Sequence, residues 1–181
     1  MLRALGGIAQ PDAGLLELPH RIAFIPELSQ REGLVLEMSL IENLALKDAA
    51  TSGTAPQRRI PASAARERLD RFGIRARSPW AAASTLSGGN QQKLVLAREL
   101  SGCPDLIVAE NPTRGLDIVA TAAVHAHLRQ AALGGAAVVF HSADLDELLS
   151  LATRIVVMFA GFLREVSQDR AAVGAAMLGV T

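Results

Sequence analysis

The last third of the sequence constrains the fold more than any other part. Three short apolar runs, Leu106 to Ala109, Ala136 to Phe140 and Ile155 to Phe159, alternate with helical stretches at Ile118 to Leu133 and Leu145 to Ala152. Runs that are apolar on both faces and joined by helices are what a buried parallel sheet demands, because helices then cover each strand above and below. The expectation is an α/β fold. Upstream, Met1, Leu2, Leu5 and Ile8 fall at helical spacing, and Gly6-Gly7 followed by Pro11-Asp12-Ala13-Gly14 marks a helix end and a turn. Gly14 to Leu18 and Arg21 to Pro26 read as two short strands. From about residue 30 to 100 the pattern is helical, with helices at Leu40 to Leu46, Ala62 to Phe72 and Gln91 to Leu100 and a polar loop from Thr51 to Arg59. The predicted organisation is one domain over residues 1–181, with an α/β core from 1–29 and 101–181 and a helical subdomain at about 30–100.

Composition excludes several function classes. A chain of 181 residues is long enough to bury a sizeable core. Its 18 Lys and Arg balance 18 Asp and Glu, so no positive field exists to condense on nucleic acid. The longest apolar run, Ala131 to Phe140, has ten residues, well short of the roughly 20 that cross a bilayer. Cys103 is the single cysteine and has no partner for an internal disulfide. The N-terminus lacks the basic segment and apolar core of a signal peptide, and a reducing cytoplasm is expected.

Chemistry concentrates in Leu86-Ser87-Gly88-Gly89-Asn90-Gln91-Gln92-Lys93, a serine and two glycines that open directly into a helix. Amide groups at a helix start lack intrahelical partners and carry the positive end of the dipole, so they can receive a phosphate; glycine lets it come close. Taken alone, Ser87 reads as an ordinary N-cap after a turn. Context adds weight. The strand Leu106-Ile107-Val108-Ala109 ends in Glu110-Asn111-Pro112-Thr113-Arg114-Gly115-Leu116-Asp117, and the C-terminal end of a parallel strand is where α/β sheets place groups that meet a ligand or its metal.

These segments resemble the ATP-binding cassette (ABC) ATPases. Leu86 to Lys93 is similar to their signature motif, in the form found in importers of ribose, other simple sugars and nucleosides. Pro112 to Asp117 resembles the passage from the Walker B strand into the D-loop. Ile25-Pro26-Glu27, with Arg31 to Ser39 and Glu42-Asn43-Leu44, resembles the Q-loop region, with Glu27 at the glutamine position. Asp144 to Leu148, Arg154 to Met158 and Gly161 resemble the part after the switch histidine.

The resemblance covers nearly the whole chain and is closest to the C-terminal cassette of fused, two-cassette subunits. It implies a P-loop NTPase-like core with a parallel sheet and a helical subdomain insert. It also implies ATP and Mg2+ as cofactors, and as partners a second cassette, membrane permease subunits and, indirectly, an extracellular substrate-binding protein. The location implied is the cytoplasmic face of the plasma membrane. Ser87, Gly88, Gly89, Asn90 and Gln91 would meet nucleotide held by the partner cassette, Glu27 would face the same region, and Asp117 would cross the cassette interface. Glu110 would reach magnesium, and Asn111 stands where the general base belongs.

The sequence also departs from that family. Nothing matches Gly-x-x-x-x-Gly-Lys-Ser/Thr, and Leu2 to Gly7 resembles the helix that follows this phosphate loop, so the expectation is an N-terminally truncated cassette: either a fragment with a misplaced start or a product without its own ATP clamp. Asp-Glu at the strand end is replaced by Glu110-Asn111, and an amide cannot accept a proton from water. Ala143 stands at the switch-histidine position; His141, two residues earlier, is read as a packed or hydrogen-bonded histidine. His125 and His127 point apart on a helix and are expected at the surface. Trp80 is read as a packing anchor and Cys103 as inert. The leading expectation is a subunit of a sugar or nucleoside importer that assists hydrolysis in another cassette. Its rivals are a non-catalytic module docked on a permease and a chromosome-maintenance or DNA-repair ATPase; zero net charge and the Asn90-Gln91-Gln92-Lys93 continuation weigh against the last.

Overall fold

A computed structural model describes residues 1–52 and 60–180, with the side chains of 48–52 left out. The chain folds as two compact units, Met1–Phe140 and His141–Thr181.

The first unit begins with the short helix α1 (Leu2–Leu5), then β1 (Ile22–Ile25) and a single π-helical turn at Ser29–Gly33. Helices α2 (Leu40–Ser52), α3 (Ala62–Arg71) and α4 (Gly88–Glu99) follow, the last running into a 3-10 turn at Leu100–Gly102. Next come β2 (Leu106–Glu110), α5 (Ile118–Leu133) and β3 (Ala137–His141). The strands lie in the order β1-β2-β3, and β1 runs parallel to β2 with Ile22 opposite Leu106 and Ile25 opposite Ala109. Leu106 to Ala109 is buried throughout, as a central strand with both faces covered requires. Residues Leu94, Val95, Leu96 and Ala97 are fully buried, so α4 is a helix enclosed on nearly every side rather than an amphipathic surface helix.

Local chemistry fixes the helix starts. Ser39 and Glu42 form a capping box at α2: the Ser39 amide donates to the Glu42 carboxylate at 2.8 Å and the Glu42 amide donates to Ser39 Oγ at 3.3 Å. Buried Asn43 donates to the Val35 carbonyl at 2.9 Å and accepts from the Val35 amide at 3.0 Å, which pins the preceding loop to α2. Asp117 caps α5 by accepting from the Ala120 amide at 2.7 Å. The open edge of β1 is closed by a half-buried ion pair. Lys47 Nζ donates to Glu99 Oε2 at 2.5 Å and to the Ile22 carbonyl at 2.9 Å, while the Phe24 amide donates to the same carboxylate at 3.3 Å. Helices α2 and α4 are thereby tied to the sheet through its own backbone groups.

The second unit holds α6 (Leu145–Leu151), β4 (Ile155–Phe159), β5 (Phe162–Val166) and α7 (Arg170–Met177). Its core is Ile155, Val157, Val173 and Ala176, with Leu145, Leu149, Ala152 and Val166 packed against them.

Several expectations need correction. Ile155–Phe159 is not described as a third parallel strand; it pairs antiparallel with Phe162–Val166 in a two-stranded sheet. The cause is the turn between them, where Ala160 at φ 48° and Gly161 at φ 86° both adopt the left-handed conformation of a tight hairpin. Gly14 to Leu18 forms no strand, and Leu15 is 88% exposed. The helix expected from Met1 to Ile8 is cut to Leu2–Leu5. Helix α2 runs on to Ser52, and the rest of the expected polar loop, residues 53–59, lies outside the described residues. Trp80 is no packing anchor: it is 61% exposed, because the Pro79 and Ala81 carbonyls on either side accept from the Ile41 and Leu40 amides and hold the backbone inward.

Candidate functional site

The exposed end of α4 carries the motif. The first intrahelical bond runs from the Gln91 amide to the Ser87 carbonyl at 2.9 Å, so the Gly88, Gly89 and Asn90 amides have no partner within the helix. Ser87 occupies the N-cap position without capping: its side chain makes no bond to the helix amides. Instead Ser87 Oγ accepts from Asn90 Nδ2 at 3.1 Å, and Asn90 Oδ1 accepts from the Arg75 amide at 3.2 Å. Asn90 thus fixes the hydroxyl oxygen and leaves its proton to be donated outward. A cluster of amides at the positive end of a 12-residue helix, with a hydroxyl donor beside it, is chemically an acceptor for an anion.

Neither glycine is there for the fold. A Cβ on Gly88 would come no nearer than 3.9 Å to Gln30 Nε2, and one on Gly89 would meet Ala120 Cβ at 3.6 Å, ordinary contact. Both have helical backbones, where alanine is preferred over glycine by up to about 1 kcal/mol. Smallness at this helix start is therefore explained by what approaches from outside.

Gln91 is placed otherwise than expected. It is 4% exposed and donates from Nε2 to the Ala83 carbonyl at 3.2 Å, so its side chain anchors the helix and does not face the opening. Gln92, which sequence reasoning misses, is a second internal strut. It accepts from Ser29 Oγ and donates to the Pro112 carbonyl at 2.9 Å, joining α4 to the turn after β1 and to the segment after β2. The only sequence signal for it is its place beside Gln91, since its partners lie far away along the chain.

The carboxylates at the strand ends are already engaged. Glu27 pairs with Arg114, and Glu110 lies 3.6 Å from Arg3 Nε while Arg3 Nη2 sits 2.5 Å from Glu32 Oε2. Asn111 adopts φ 41°, a conformation asparagine tolerates, and its carbonyl accepts from the Arg114 amide at 3.0 Å. Magnesium at Glu110 does not fit this arrangement: an arginine already lies within ion-pair distance of the carboxylate, the next residue is an amide, and among the described residues no three His, Cys, Asp or Glu side chains cluster so as to hold a metal ion. Asp117 is exposed beside Ile118 and Val119, which are 88% and 76% exposed, so the start of α5 presents an apolar surface flanked by a carboxylate.

Other residues fall elsewhere. His127 is half-buried rather than fully at the surface. It stacks on Phe72 with ring centroids 4.2 Å apart, and burial, with a smaller contribution from Lys93, pushes its pKa below the ordinary value. It lines a cavity of about 580 Å³ with Arg68, Arg71 and Leu100, at the opposite end of α4 from Ser87. His141 ends β3 exposed rather than packed. Asp144 caps α6 by accepting from the Asp146 amide at 2.9 Å. No helix among the described residues is long and apolar enough to cross a membrane.

The profile of the ABC transporter family matches residues 1–114. The chain belongs to the ABC transporter family. It is 36% identical to the nucleoside import ATP-binding protein NupA of Lactococcus lactis over 185 residues, covering 92% of this chain and 36% of that protein. It is 34% identical to the ribose import ATP-binding protein RbsA 1 of Streptomyces coelicolor over 198 residues, covering 99% of this chain and 39% of that protein. The chain thus spans little more than a third of the length of these relatives. A solved dimeric, post-hydrolysis ATP-binding cassette, MJ0796 with ADP and Pi, matches with TM-score 0.74 at 22% identity over 93% of this chain and 79% of that one. The ADP conformation of the cassette MJ1267 matches with TM-score 0.70 at 18% identity, over 98% and 78%. The fold of this ABC chain is that of an ATP-binding cassette, α/β with a parallel strand pair and inserted helices.

Proposed function

We propose that the chain is part of the ATP-binding subunit of an importer for a sugar or nucleoside, and that it acts by presenting Ser87, Gly88 and Gly89 to ATP held with its magnesium by a second cassette. The observation that carries this reading is the unused helix start: three amides without intrahelical partners and an outward hydroxyl proton, bordered by glycines that the fold does not need. The names of the import relatives supply the class of cargo. Ser87 would donate its hydroxyl and Gly89 its amide to the γ-phosphate, charge-assisted bonds that would position the group for in-line transfer. Asn90 holds the hydroxyl oxygen in place, and Asp117 with Ile118 and Val119 would meet the partner cassette beside it. With Asn111 at the base position and both strand-end carboxylates paired to arginines, hydrolysis belongs to the partner's residues. The subunit would sit at the cytoplasmic face of the membrane through permease subunits, indirectly served by an extracellular substrate-binding protein and without nucleic acid. In this account residues 28–48 and the helices up to about residue 100 would meet the permease.

A nucleotide-gated cross-link tests the proposal. Ser87→Cys is paired with a cysteine in the phosphate loop of the partner cassette, in a transporter otherwise free of reactive thiols, and oxidation is followed with and without ATP. Disulfide formation that rises with ATP is the expected result. Formation that ignores nucleotide, or none at all, would overturn it and favour a docking module.

A further inference from the structure

We infer that Arg3 is the resident cation of the strand-end cluster and that it keeps a divalent ion off Glu110. Its guanidinium spans two carboxylates at once, with Nη2 at 2.5 Å from Glu32 Oε2 and Nε at 3.6 Å from Glu110 Oε1. The reach depends on how closely α1 lies to β1. A Cβ at Gly6 would stand 2.4 Å from Phe24 Cδ2, so only glycine admits that ring and brings the short helix down onto the sheet. Arg3 then projects over the end of β2, where Glu110 is only 17% exposed and its carboxylate has little water to screen it. A planar, delocalised guanidinium with five donors suits two carboxylates from different segments better than a compact ion does. Magnesium is at a further disadvantage, because it sheds water reluctantly and usually binds through one or two carboxylates together with substrate phosphates. The neighbouring groups offer no compensation. Glu27 is committed to Arg114, and Asn111 brings a neutral amide where a second acidic ligand would be needed. The cluster joins α1, the π-helical turn and the end of β2 through one arginine shared by two carboxylates.

The inference stands apart from the proposal of action on a partner cassette, because its test uses the full chain and manganese alone, with no nucleotide, partner or turnover. Free manganese is read by electron paramagnetic resonance as the ion is titrated against the wild type, Arg3→Gln, Arg3→Lys, Glu110→Gln, and Arg3→Gln combined with Glu110→Gln, each verified as folded by circular dichroism. The wild type is expected to bind no tighter than about 1 mM, the concentration at which binding contributes only about 4 kcal/mol. Arg3→Gln, which leaves Glu32 and Glu110 uncompensated, should gain at least threefold in affinity. The gain should vanish in the double variant, and it should not appear in Arg3→Lys, which keeps the positive charge. Manganese binding by the wild type well below 1 mM that is lost in Glu110→Gln would overturn the inference. So would an Arg3→Gln variant with no gain.

Discussion

Gly88 exposes a conflict between folding and use at a single residue. Its backbone is helical, and the atom nearest to where a Cβ would stand, Gln30 Nε2, lies 3.9 Å away, so alanine would fit. Gly88→Ala is therefore expected to raise stability by up to about 1 kcal/mol in urea denaturation. A loss of comparable size would show that the fold needs this glycine after all. Asn111 poses the opposite case. Glutamate there would have to adopt φ 41°, a conformation that costs a longer side chain about 1 kcal/mol, and it would add charge beside Glu110. With no phosphate-gripping loop in these residues, the chain alone should bind ATP no tighter than about 1 mM by calorimetry with magnesium. Asn111→Glu should then leave hydrolysis by the isolated chain undetectable, since a base cannot help where no nucleotide is held. Measurable turnover by that variant would contradict the account.

At the scale of elements, the stack of Phe72 on His127 joins the end of α3 to α5 and makes that contact sensitive to pH. Burial lowers the His127 pKa below its ordinary value near 6.5, so the unfolded chain takes up the proton first as pH falls. Stability from this group is complete above that ordinary value and is lost as pH drops toward the folded pKa. In His127→Phe, which keeps a stacking ring and cannot titrate, the fall in melting temperature between pH 7.5 and pH 5.5 should be smaller than in the wild type; an equal fall would show that the histidine does not contribute. Elements with local signals at both ends are legible in the sequence. Helix α5 runs from Ile118 to Leu133 as expected, because Asp117 caps its start and Gly134 follows its end. The signature helix is legible to within three residues, expected from Gln91 and found from Gly88, although Ser87 makes no cap. The β4-β5 hairpin is not, since Ala160 gives no hint of its positive φ and Phe162 to Val166 does not alternate in polarity. Nor are the pairs of Arg3, Arg114 and Gln92, which join residues far apart in the chain and follow from packing alone.

For the whole molecule, the proposed function would set the face that meets the permease apart from the helix start that meets nucleotide. Leu28, Val35, Met38 and Trp80 are exposed apolar residues within the Q-loop region and the inserted helices, and a surface of this kind is suited to a partner protein. Photo-cross-linkers placed on the permease loops should capture residues between 28 and 100; products that avoid this range altogether would contradict that assignment. The central claim is that Ser87 and Gly89 act on ATP bound to another cassette. Its most direct test is ATP hydrolysis by the assembled transporter carrying Ser87→Ala or Gly89→Asp, with thermal melting to show that each chain is folded. Ser87→Ala removes one hydrogen bond to a charged group, about 1.5–3 kcal/mol or roughly ten- to more than a hundred-fold in rate. Gly89→Asp should cost more, because a carboxylate at the helix start repels the phosphate it must admit. Hydrolysis that falls in both variants, further in Gly89→Asp, is the predicted result, and unchanged hydrolysis in both would contradict the claim.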